Sequence, residues 1–276
     1  MKKLDIMNHK YRTTLFFVLS FIITWTMAGI LIYQSRTTGE KSLSVLFLAY
    51  MGPMIAALLT MLITRDGKVF SDFLSRLINP KLIKWRYMPI VLLLLPISMI
   101  IAICIGVLFG QPLSQLSLAS EFKVFDGELI LSMVILALVP ILEEIGWRGY
   151  GVDGLRSKNN LVKTSMYFSV IWGLWHLPVF FIEGSYQASL WLMNPIYAMN
   201  FFVGIIPLAF ILNWIYFKNN RSILIASLFH IMVNYSSEIF QANQVSKCIL
   251  TLVLMIVALV IIKSDKEYSF GLNEME

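Results

Sequence analysis

Glu143 and Glu144 stand side by side in a stretch that is otherwise apolar, and Arg148 follows Glu144 by four residues. Positions four apart share a helix face, so Glu144 and Arg148 are spaced to pair as carboxylate and guanidinium, while Glu143 points about 100° away. One acid is then held and the other is free to face a cavity. Two more apolar stretches carry pairs at the same spacing, Trp172 with His176 and His230 with Asn234. A carboxylate in poorly solvated surroundings is a strengthened general base. Amide and imidazole N–H groups stabilise developing negative charge. Residues of these types inside lipid cost several kcal/mol unless paired or hydrated, so each is a functional candidate.

The elements that must position them are membrane helices. Of 276 residues, 58% are hydrophobic and 14% charged, against about 45–50% and 25% in soluble domains. The fold class is therefore all-α, a polytopic integral membrane protein in one domain spanning residues 1–276, with about eight transmembrane helices. The runs are Thr13 to Tyr33, Leu43 to Thr64, Tyr87 to Gly110, Leu129 to beyond Trp147, Thr164 to Ile182, Pro195 to Phe217, Ile223 to Tyr235 and Ser246 to Ile262. With the N-terminus inside, all of the 22 Lys and Arg except Arg36, Lys41, Lys123 and Lys247 fall on the cytoplasmic side, an N-in, C-in topology. The net charge of +6 reflects that bias and not a nucleic-acid partner. Met1 to Arg12 followed by an apolar run reads as an anchor without a cleavage signal. Cys104 and Cys248, inside apolar runs, read as buried inert thiols. Phe70, Phe73, Leu74 and Leu77 recur at helical spacing between Arg65 and Arg86, as in a helix lying on the inner leaflet or in an ordinary loop.

Depth sets a condition. At 1.5 Å per residue, His176 lies roughly 18 Å from a cytoplasmic start near Thr164, and His230 and Asn234 roughly 10–17 Å from one near Ile223. Glu143 reaches that depth only if the fourth helix continues through Gly149 and Gly151 to about Leu155.

In order and interval these residues resemble the CPBP intramembrane proteases, the type II CAAX prenyl endopeptidases and bacteriocin-processing proteins. The EExxxR motif is met by Glu143, Glu144 and Arg148, the aromatic-x3-His motif by Trp172 and His176, and HxxxN by His230 and Asn234. The likeness spans about residues 52–262, with residues 1–42 adding an N-terminal segment and first helix. It implies a multi-pass intramembrane endopeptidase of the plasma membrane, its site opening to the cytoplasm; the Lys, Asn and Ile usage reads as that of a bacterial cell membrane protein. Its substrates would be membrane-associated or lipidated peptides, CAAX-type or bacteriocin and pheromone precursors. It further implies catalytic roles for Glu143 and His176, holding and activating water, and for His230 and Asn234, binding the oxyanion. Glu144, Arg148 and Trp172 would support them. Membrane lipids are the expected surroundings; oligomeric state is not legible.

Other readings share these residues. Glu143, His176 and His230 could hold a zinc ion, although no HExxH helix is present, so the expectation is no metal and no cofactor. A scaffold or bacteriocin-immunity protein could keep the same polar core, and a transporter could use Glu143 and His176 as a proton relay but shows no repeat. His9 reads as solvated, Glu183 and Glu238 as solvated helix ends, and Asn200 and Asn213 as residues that knit helices or gate substrate.

Overall fold

A computed structural model describes residues 2–119 and 127–271, without the side chains of residues 2–10 and 128. Lys123 lies outside the described residues, as do the side chains of Lys2, Lys3, His9 and Lys10. The described residues form helices α1 (Lys2–Thr37), α2 (Leu43–Tyr50), α3 (Gly52–Thr64), α4 (Gly67–Ile78), α5 (Met88–Leu108) and α6 (Gly127–Gly146). These are followed by α7 (Val152–Arg156), α8 (Leu161–His176), α9 (Tyr186–Met193), α10 (Pro195–Lys218), α11 (Ile223–Glu238), α12 (Gln244–Ser264) and α13 (Lys266–Phe270).

Among the described residues, five segments are long and apolar enough to cross a bilayer, residues 11–37, 85–108, 129–156, 195–218 and 244–264. Counting two bent pairs as one span each raises the number to seven. The expected eight is thus met only to five or seven by length. The missing span is α11, whose 16 residues reach about 24 Å against a hydrocarbon core of about 30 Å.

The apolar run from Leu43 to Thr64 is not one continuous helix, because α2 and α3 meet at a 55° bend. Pro53 in the first turn of α3 has no N–H to continue the preceding helix. The bend lays α3 on α6, where a Cβ on Gly146 would stand 2.3 Å from the backbone carbon of Pro53. Gly146→Ala should therefore force the two helices apart and cost about 1–3 kcal/mol or more, read as a fall in midpoint on thermal unfolding in detergent. Gly29, with nothing within 4 Å of its Cβ position, is the control. Its alanine variant should be neutral or more stable.

The fourth run stays helical through its glycines, as the depth condition requires. Between α6 and α7, residues Trp147–Gly151 form a π-helical turn in which the Val152 N–H bonds the Trp147 carbonyl. Such bulges are rare and cluster at functional sites. Its glycines admit neighbours, since a Cβ on Gly149 would meet the Phe73 ring at 2.8 Å and one on Gly151 the Phe16 ring at 2.4 Å.

The segment after Arg65 is an amphipathic helix, α4, capped by Asp66, which accepts from the N–H groups of Lys68 and Val69. Phe73 and Arg76 turn inward, and Phe70, Leu74 and Ile78 form an exposed stripe. Cys104 is exposed on its helix and not buried as expected, and Cys248 is half-buried; neither is paired. Glu238 is about half exposed and within 3.8 Å of Lys247.

Candidate active site

Three helices bring the singled-out side chains together. α8 starts at an Asn160 cap that accepts from the Lys163 N–H and ends at His176 itself. Pro178, two residues on, cannot donate a helical hydrogen bond, and the chain tightens into a 3-10 turn over Leu177–Phe181. His176 is thus fixed at a helix end.

Trp172 is the hub. Its indole Nε1–H donates to Glu143 Oε2 at 3.1 Å. Its ring lies 5.8 Å from that of His176 and 5.3 Å, edge to face, from that of His230. His230 is an electrostatic neighbour of both Glu143 and His176, and the half-buried Tyr50 is a neighbour of Glu143. Glu143, His176 and His230 therefore gather around one indole, with Glu143 only 4% exposed.

Glu144 takes a separate path. Arg148 donates to Glu144 Oε1 at 2.9 Å, and both side chains are fully buried. The guanidinium also lies over the Phe168 ring at 4.6 Å and donates to Asn213 Oδ1 at 3.0 Å. Asn213 in turn donates to Ser165 at 3.0 Å, so it knits α10 to α6 and α8. The spacing did not reveal that the same Glu144 oxygen is 2.9 Å from His230 Nδ1.

A carboxylate and a carbonyl only accept hydrogen bonds, so geometry sets both tautomers. His230 Nδ1 carries a proton toward the Glu144 carboxylate. His176 carries its own on Nδ1 toward the Trp172 carbonyl, at 2.7 Å. Each ring keeps Nε2 for other partners.

Asn234 is placed by a proline. Pro140 cannot donate to Leu136 four residues earlier, which frees that carbonyl. The Asn234 amide donates to it at 3.3 Å. The second amide hydrogen of Asn234 is left over. Tyr235 fixes the same helix pair by donating to the Met133 carbonyl at 2.9 Å. Beside this junction an open apolar groove of about 450 Å³ runs along α6, lined by Ile130, Met133, Val134, Ala137, Leu138 and Ile141, with Tyr235 of α11 at its edge.

Among the described residues, no three of His, Cys, Asp and Glu converge closely enough to hold a metal ion. Of the zinc set weighed from the sequence, both His rings have Nδ1 engaged, by a carbonyl and a carboxylate, and keep Nε2 as the remaining ligand atom, while Glu143 Oε2 accepts from Trp172.

The family model "Type II CAAX prenyl endopeptidase Rce1-like" matches residues 125–236, which include all seven side chains from Glu143 to Asn234 named above. The CAAX prenyl protease 2 of Methanococcus maripaludis is 34% identical over 268 residues, covering 96% of this chain and 98% of that protein. A likeness that runs nearly end to end makes this chain a member of the Rce1-like type II CAAX prenyl endopeptidases, multi-pass membrane proteins that cut peptides.

Proposed function

We propose that the chain hydrolyses a peptide bond in a prenylated C-terminal CaaX segment by direct attack of water. The observation that carries this reading is the gathering of Glu143, His176 and His230 around Trp172 while Glu144 alone takes up Arg148. Water held between Glu143 and His176 Nε2 donates one hydrogen to each, leaving a lone pair for the substrate carbonyl. As the water oxygen bonds to carbon, its proton passes to Glu143 and the carbonyl electron pair moves onto oxygen. His230 and Asn234 donate to that oxyanion. His230 does so through Nε2–H, with its Nδ1–H held by the Glu144 carboxylate so that the ring is oriented. The intermediate then expels the amine, which takes its proton from Glu143. No metal enters these steps.

The open apolar groove along α6, edged by Tyr235 of α11, supports an isoprenoid on the substrate, because both helices carry site residues and its walls are hydrocarbon. The N-in, C-in topology with eight crossings counts α11 as a short span, and the Lys and Arg distribution supports it. It opens the site to the cytoplasm.

Purified protein in liposomes should cleave a farnesylated CaaX peptide faster than the unprenylated peptide by about tenfold or more, since burying even two methylene groups contributes about 1.6 kcal/mol. Cleavage should persist in chelator, with no stoichiometric zinc by elemental analysis. Equal cleavage of both peptides would remove the prenyl requirement. Activity lost to chelator and restored by zinc would end the metal-free mechanism.

A further inference from the structure

Arg76 projects from α4, outside the spans, yet its side chain is 5% exposed and is spent on the catalytic helix. Its guanidinium donates to the carbonyl of Arg148 at 2.9 Å and to that of Gly149 at 2.9 Å. It also donates to the Tyr216 hydroxyl at 2.7 Å and, through Nε, to Asp72 at 2.8 Å, and lies 3.1 Å from Asp153.

The two carbonyls belong to the π-helical turn. In a regular α-helix the Val152 N–H would bond the Arg148 carbonyl, but here it reaches back to Trp147. Arg148 has thus lost its usual donor, and Arg76 supplies one. Tyr216 lies 2.8 Å from the same carbonyl. Phe73, one turn before Arg76, fills the space above Gly149.

From this contact the path to the site is continuous. The Arg148 backbone carries the guanidinium that holds Glu144, and Glu144 holds His230. If the turn relaxed to α geometry, one residue would leave the bulge and the flanks would rotate against each other by about 100°. Glu143 and Glu144, on one flank, would swing relative to everything α1 and α4 hold on the other.

We infer that Arg76 is a positioning residue for peptide hydrolysis, holding the π-helical turn open so that Glu143 and the Glu144–His230 pair stay in register. This rests on the proposed roles of Glu143 and His230. A fork of donors is needed, so the single ammonium of lysine replaces it poorly.

The test compares Arg76→Lys and Arg76→Ala with the parent protein in liposomes, using the farnesylated CaaX peptide, with hydrogen exchange of residues 147–156 and thermal midpoints measured alongside. Displacements of about 1 Å from such remote changes can cost 100-fold, so kcat should fall about 10- to 100-fold with KM within about threefold. Alanine should be worse than lysine, amide exchange in 147–156 should quicken, and millimolar guanidinium should restore part of the lost kcat of Arg76→Ala where ammonium does not. The cavity of about 110 Å³ that Arg76 lines gives the ion a way in.

Unchanged kcat, a rise confined to KM, or a loss explained by a lower folded fraction with exchange in 147–156 unaltered would each overturn the inference. The exchange readout does not depend on chemistry at Glu143. A failure of the catalytic reading would show separately, as full activity in Glu143→Gln.

Discussion

Glu143→Gln should lower kcat for the farnesylated CaaX peptide by about 10²- to 10⁴-fold, the range for loss of a positioned general base. The substitution is close to isosteric. A glutamine carbonyl still accepts from Trp172 Nε1, so the hydrogen bond now 3.1 Å long survives, and the thermal midpoint should stay near that of the parent. What is lost is the ability to take a proton from water. His176→Ala should fall in the same range, because Nε2 is the second acceptor for that water and the ring also touches Trp175 and Phe201. The measurement is initial rates over a substrate series, with folded protein quantified in each sample. If both variants keep the parent rate, the gathering around Trp172 is a packing motif and the chain acts without these groups.

Much of this site was legible because helical spacing is a rigid rule. Glu144 with Arg148 pairs as four-residue spacing demands, and the depth of His176 and His230 required the fourth helix to outlast Gly149 and Gly151, as it does. What spacing cannot give is distance between helices. The Glu144–His230 contact joins residues 86 apart, and nothing along the chain marks it. The π-helical turn was equally invisible, since a bulge is set by which carbonyl each N–H chooses and hydropathy does not record that choice. The anchoring of Asn234 had a readable signal, namely Pro140 four residues after Leu136. By length the structure gives five to seven of the eight expected spans, for a physical reason. The apolar run of α11 is short because it carries the polar pair, and the bends at Met51 and after Phe181 divide runs that composition alone joins.

Removing Glu144 separates stability from catalysis. Glu144→Leu should strand Arg148, fully buried, with Asn213 and the Phe168 and Trp172 rings as its remaining partners among the described residues. Breaking a buried pair in this way typically costs about 3–5 kcal/mol, so the thermal midpoint should drop sharply and activity with it. Arg148→Met alone should cost a comparable amount, leaving Glu144 to His230. The double variant Glu144→Leu/Arg148→Met removes both charges together, and apolar replacement of a whole buried pair is often close to neutral. Its midpoint should therefore recover most of what either single variant loses, measured as a positive coupling in a double-mutant cycle. Activity should not recover. In the double variant His230 has no carboxylate at Nδ1, so the ring is no longer held in orientation, and the oxyanion loses one of its donors, worth about 100- to 1000-fold in rate. A stable double variant with parental kcat would show that Glu144 serves folding alone, and that His230 is oriented without it.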